Sequence, residues 1–144
     1  MSKLSSLNSE AQRELIGFVC LTKATLAIND TAAATFKNTG TITYLSDGVF
    51  KTKSALSAQA FSSGHTGLAA GQTGYYVVGL NGSGTVKTFE GIGKLPDVDD
   101  GYTPIGMIKV VCGSAAFVPG TTALDASNIT FTFYDLALIP ASAP

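Results

Sequence analysis

Three carboxylates fall within five residues in Asp97-Val98-Asp99-Asp100-Gly101, a density that invites a calcium reading. An EF-hand loop needs glycine at its position 6 and glutamate at its position 12. Counted from Asp97, Gly101 is fifth and Ile108 is twelfth, so the motif fails. An acidic surface turn is the reading, with a calcium site of another design as the lesser alternative. Gly91-Ile92-Gly93-Lys94 has the look of a phosphate loop's end. Such a loop works because amides at a helix start point at phosphate. Here Leu95, Pro96 and an acidic run follow the lysine, which opposes that geometry.

Nucleophilic catalysis fares no better. A serine or cysteine nucleophile needs a base, and the single histidine, His65, lies in a Gly- and Ser-rich stretch that reads as a solvated loop. Gly82-Ser83-Gly84 lacks the G-x-S-x-G spacing of a nucleophile elbow. Any two acids can meet in space, but nothing in the sequence marks a glycosidase pair. Cys20 and Cys112 stand far apart and outside any C-x-x-C pair, so with one histidine no zinc set forms. They read as small buried hydrophobes, a disulfide between them being the alternative. No catalytic residue, cofactor or metal is expected.

Composition narrows the class further. Only 13% of the 144 residues are charged, about half the usual ~25%, and the net charge is −1. A nucleic-acid binder needs a basic stripe for phosphates, and the nine Lys and Arg are scattered. The apolar run at 15–21 follows Glu10 and Glu14. It is too short to span a bilayer, which takes about 20 residues, and lacks a secretory signal's basic start. No partnership with nucleic acid or membrane is expected, and synthesis in a cytoplasm is.

The elements follow from periodicity. Ser9 and Gln12 have capping-box spacing, and Ala11, Leu15, Phe18 and Val19 recur at helical intervals. A short helix is expected over 9–15, ending near Gly17, within an N-terminal arm at 1–30. Residues 21–28 read as a strand or as a continuation of that helix. From 31 to 144 the pattern is β. Residues 41–45 alternate into the turn Ser46-Asp47-Gly48, a strong hairpin signal. On the return strand Phe50 and Thr52 share one face and Val49, Lys51 and Lys53 the other, which puts the lysines on the wet side. A second hairpin joins 75–80 to 85–90 through Asn81-Gly82-Ser83-Gly84, with Gly82 expected at positive φ. Residues 107–112 and 129–134 complete the set, with Phe131 and Phe133 expected in the core. The fold class is therefore all-β: an antiparallel sandwich or barrel of about seven or eight short strands.

The stretch 81–140 carries a distinctive order of motifs. Thr85-Val86 is followed by Leu95-Pro96-Asp97-Val98 and Thr103-Pro104-Ile105-Gly106-Met107-Ile108-Lys109-Val110. Then come Phe117-Val118-Pro119-Gly120-Thr121-Thr122-Ala123-Leu124-Asp125 and Ile129-Thr130-Phe131-Thr132-Phe133-Tyr134-Asp135. This order, extending weakly back to residue 26, resembles a group of small virion proteins of tailed bacteriophages. The resemblance implies a capsid decoration, or cement, protein on the phage head. Its partner would be the major capsid protein, and a homo-oligomer, a trimer for preference, would match local three-fold positions. The alternative is a small head- or tail-fibre component that contacts the host surface, whose tip would show aromatics near Tyr75, Tyr76 or Tyr102. The arm's apolar residues Leu15, Ile16, Phe18, Val19 and Leu21 are the candidate partner contacts. The competing reading of that stretch is that it packs on its own sheet.

Overall fold

Alternating side chains make a sheet where one face can be buried, and the described residues do so in eight strands. The computed structural model describes residues 17–137. The strands are β1 (Ala27–Ile28), β2 (Phe36–Lys37), β3 (Ile42–Ser46), β4 (Val49–Lys53), β5 (Thr73–Leu80), β6 (Val86–Ile92), β7 (Thr103–Cys112) and β8 (Ile129–Asp135). The fold is all-β, sandwich-like and antiparallel within each sheet. A four-stranded sheet runs β6-β5-β7-β8, and two ribbons, β1-β2 and β3-β4, accompany it. The helix expected over 9–15 and the tail at 140–144 lie outside the described residues. Of the stretch 21–28, read as strand or helix, only Ala27–Ile28 is strand.

The inner face of the large sheet carries Tyr76, Val78 and Leu80 from β5 and Ile108, Val110 and Cys112 from β7, all buried. Ile42 and Tyr44 of β3 face the same core, as do Phe36, Phe61, Leu68, Phe117 and Leu124 from ribbons and loops. Cys20, Ala24 and Leu26 join it too, so part of the stretch expected to form an arm over 1–30 is built into the domain. Between Val78 and Gly79 the β5–β7 register slips. Ile105 is the extra residue of that bulge, and it is fully buried.

Three details differ from the sequence expectation. Phe131 and Phe133 do stand on the core side of β8, opposite Val110 and Ile108, but they are only half-buried. β8 is an edge strand, so nothing in the sheet covers their far side; the two rings pack on each other at 5.4 Å. In the β5–β6 turn the positive φ belongs to Gly84 (79°), not Gly82. Asn81 explains why: its Oδ1 accepts from the amides of Ser83 and Thr85, and its carbonyl accepts from Gly84 N, so the left-handed residue falls at the end of the turn. The faces of β4 also differ in exposure from that expectation, as described below.

Gly91 is required by a close approach. A Cβ there would lie 2.2 Å from the Lys94 carbonyl oxygen and 2.7 Å from Pro96 N, both backbone atoms that cannot swing aside. The 93–102 loop thus folds back over the outer face of β6, where Tyr102 packs edge-on against Phe89 at 5.4 Å. Gly91→Ala should destabilise the fold by about 3 kcal/mol, at the upper end of overpacking costs. Gly84→Val should cost about 1–3 kcal/mol through its left-handed backbone, and Gly82→Val should cost less. Urea denaturation of the three variants checks the order.

Candidate functional site

The Asp47-Gly48 turn has both residues at positive φ, 51° and 77°, as a two-residue type I′ hairpin demands. That turn fixes the register: Ser46 opposite Val49, Leu45 opposite Phe50, Tyr44 opposite Lys51, Thr43 opposite Thr52 and Ile42 opposite Lys53. Ile42, Tyr44 and Ser46 are the buried residues of β3, so their partners Lys53, Lys51 and Val49 share the inward side. The lysines are half-buried, whereas Phe50, 71% exposed, and Thr52 lie open on the opposite face; Val49, beside the turn, is 53% exposed although it lies on the lysine side. The alternation is as expected and Val49 is exposed, but Phe50 and Thr52, not Lys51 and Lys53, form the more open side. A signal was present: carrying the two-residue register back to Ile42 and Tyr44 puts the lysines on their face.

The ribbon is anchored firmly. Tyr44 Oη donates to the Asn81 carbonyl (2.7 Å), and Thr103 Oγ1 donates to the Leu45 carbonyl (2.6 Å). The far side of β3 is occupied by the segment entering from the N-terminus: Leu45 N donates to Val19 O, Leu21 N to Thr43 O and Gly48 N to Gly17 O. Of the expected contact residues, Val19 and Leu21 are thus half-buried beside β3. Phe18, also half-buried, lines an open depression with Ser46, Asp47, Gly82, Asp100 and Gly101. Three turns therefore converge beside the segment that carries Phe18. Leu15 and Ile16 lie outside the described residues.

Other candidate groups are engaged structurally. Asp99 meets Lys87 at 2.5 Å, and the lysine stands over the rings of Phe89 (5.3 Å) and Tyr102 (5.7 Å). The hydrogen bond to Asp99 raises the pKa of Lys87. The acidic turn is thus held by a cation of its own chain, and among the described residues no three of His, Cys, Asp and Glu gather as metal ligands. Gly91 makes room for the loop crossing, and Gly93, at φ 70°, donates its N–H to the Thr73 carbonyl. Cys20 and Cys112 are buried free thiols, both with pKa values raised by burial. Among the described residues no helix is long and apolar enough to cross a membrane.

His65 is not a solvated loop residue. Its Nε2 lies 2.8 Å from Thr88 Oγ1, and its ring packs on Tyr76. Thr88 Oγ1 already accepts from Ser62 N, and Ser62 Oγ accepts from Thr88 N. The hydroxyl proton of Thr88 is then free to point at a neutral His65. Thr88 is 2% exposed, so this hydroxyl–imidazole pair is a loop clasp rather than a nucleophile and base open to a substrate. No protein-family model, no curated protein and no solved structure matches the chain.

The clasp carries a pH dependence. Burial is the largest cause lowering the His65 pKa, opposed by Glu90 and reinforced by Lys87. The folded pKa lies below the unfolded value of about 6.5, so the unfolded chain takes up the proton first. Stability contributed by neutral His65 is present above pH ~6.5 and lost as pH falls through the folded pKa. Thermal melts from pH 7.5 to 5 should show a falling midpoint in the parent and a shallower fall in His65→Gln.

Proposed function

We propose that this protein is a virion structural protein of a tailed bacteriophage, a decoration protein that binds the outside of an assembled head and stabilises it. The observation that carries the reading is the β3–β4 ribbon. Phe50, a large aromatic residue, is 71% exposed next to Val49, on a ribbon pinned to the core by Tyr44 and Thr103. An exposed aromatic on a rigid support is the form of an interface anchor. Motif order along 81–140 adds the phage resemblance, and the weakly charged surface suits contact with a protein lattice.

The mechanism is multivalent contact. One ribbon contributes modest affinity, but copies held together by an oligomer, a trimer for preference, engage several capsid subunits at once. The major capsid protein is the proposed partner and the phage head the proposed location. The protein works by contact, with no chemical step assigned to it. The fibre reading has less to support it: Tyr76 is fully buried, and Tyr75 and Tyr102 are half-buried.

Purified protein should co-sediment with bare assembled heads, and bind dissociated capsid subunits far more weakly. Binding should weaken only modestly at high salt, because the chain carries few charges to be screened. Phe50→Ser should weaken co-sedimentation at least tenfold with less than about 0.5 kcal/mol change in stability, as for a surface site. Binding to host cells with none to heads would replace this reading with the fibre one.

A further inference from the structure

Antiparallel pairing alternates hydrogen-bonded with non-hydrogen-bonded residue pairs. In the β3–β4 ribbon the assignment is settled from the far side. Leu45 N and Thr43 O bond to Val19 and Leu21, so Leu45 and Thr43 direct their backbone groups away from β4. Their partners, Phe50 and Thr52, are therefore non-hydrogen-bonded with respect to β3, and their N–H and C=O groups point to the free edge of β4. Both residues are exposed, and β4 pairs with no described strand other than β3. This edge is a short template with two open backbone positions, one face bearing Phe50 and Thr52 and the other Lys51 and Lys53.

The side chains decide what can occupy it. A second β4 laid antiparallel on the first would bring lysine opposite lysine, and like charges across a ladder are destabilising. Lysine at a sheet edge is also a common guard against self-pairing. Neither Lys51 nor Lys53 forms an ion pair with a described residue. Standing two residues apart, they match carboxylates at alternate positions of an incoming strand, about 6–7 Å apart at strand rise. Of the two edges of the large sheet, β8 displays Thr130, Thr132 and Tyr134 without such a pair of charges, and β6 has its Thr88 N–H taken up by Ser62 Oγ.

We infer that the free edge of β4 accepts an extended segment of a partner protein by strand addition, with carboxylates at alternate positions facing Lys51 and Lys53 and apolar side chains against Phe50. This supplies a binding mode for the ribbon of the proposed decoration protein, and rests on that reading only for who supplies the strand. Main-chain bonds give such docking its affinity and the alternating side chains its selectivity.

The test uses the full chain and two synthetic octapeptides, one alternating Glu with Val and Thr, the other with Lys in place of Glu. Amide spectra and hydrogen exchange are followed on Phe50 and Thr52. The Glu peptide should shift and protect those two amides, and the Lys peptide should bind at least tenfold more weakly. Thr52→Pro removes only an outward N–H, so it should abolish peptide binding while Val49, Lys51 and Lys53 keep their bonds to β3. The joint change Lys51→Glu and Lys53→Glu, which leaves the backbone template intact, should reverse the preference. Equal binding of both peptides would overturn the inference, as would no protection by the Glu peptide. Protection that grows with protein concentration alone would put a second copy there. Protection already present in dilute protein would put the chain's own N-terminal residues there, and both outcomes overturn it. Head binding unaffected by Thr52→Pro would overturn strand addition and leave the decoration reading standing; peptide binding without head binding would do the reverse.

Discussion

A fully buried phenol sets the terms for much of this structure. Tyr76, at the centre of β5, has no exposed surface, and a hydroxyl taken from water without a partner is costly. Its partner is Glu90 on the neighbouring strand, whose Oε2 accepts the bond at 2.8 Å. A carboxylate drawn to the inner face needs further donors, and these come from the chain that crosses there: Thr66 N at 2.7 Å and Gly67 N at 3.0 Å. One buried hydroxyl thus fixes the path of the long connection between β4 and β5. The aromatic rings follow the same logic. Phe61, brought in by that connection, meets Tyr76 at 5.2 Å, Phe36 at 5.5 Å and Phe117 at 6.0 Å in edge-on contacts. Burial and the bond to Glu90 push the Tyr76 pKa far up, so the phenol stays a donor.

This polar knot also explains what was hard to read in the sequence. Residues 62–73 look like a solvated loop because they are small and polar, and Glu90 looks like the end of an amphipathic strand. Their tie depends on two backbone amides and a tyrosine fourteen positions away in sequence, which no local pattern encodes. His65 is hidden from a local reading for the same reason: its neighbours in sequence are small and polar, whereas its neighbours in space are Thr88 and Tyr76. The hairpins were legible because turn chemistry is local. Asp47-Gly48 announces a tight turn, and period-two alternation names the strands on both sides. Charge is a poor guide to the faces of β4, because register, set by the turn and by Ile42 and Tyr44, is the stronger constraint. A lysine stem can lie along apolar surface with its ammonium group in water, so half-burial of Lys51 and Lys53 violates nothing.

The turn at 81–85 shows a finer version of this limit. Asn-Gly invites a two-residue hairpin with glycine at positive φ, and the sequence alone places that role at Gly82. The asparagine side chain changes the outcome by capping two amides ahead of it, which lengthens the turn and moves the left-handed residue to Gly84. A Cβ at Gly82 would instead come within 3.2 Å of Ser46 Oγ, so its size matters for how closely the β3–β4 ribbon approaches the main sheet.

That approach bears on the docking proposed for the ribbon. An isolated two-stranded hairpin is at best marginally stable in water, and one that projected freely would lose conformational entropy on docking. Here β3 is bonded on its far side by the 17–21 segment, held to β5–β6 through Tyr44 and Asn81, and held to β7 through Thr103. The strand that β4 pairs with is therefore already part of the folded body. Ordering costs on binding are reduced where the binding element is fixed beforehand. The entering segment thus serves the surface indirectly: by completing the far edge of β3, Gly17, Val19 and Leu21 hold the near edge of β4 in place.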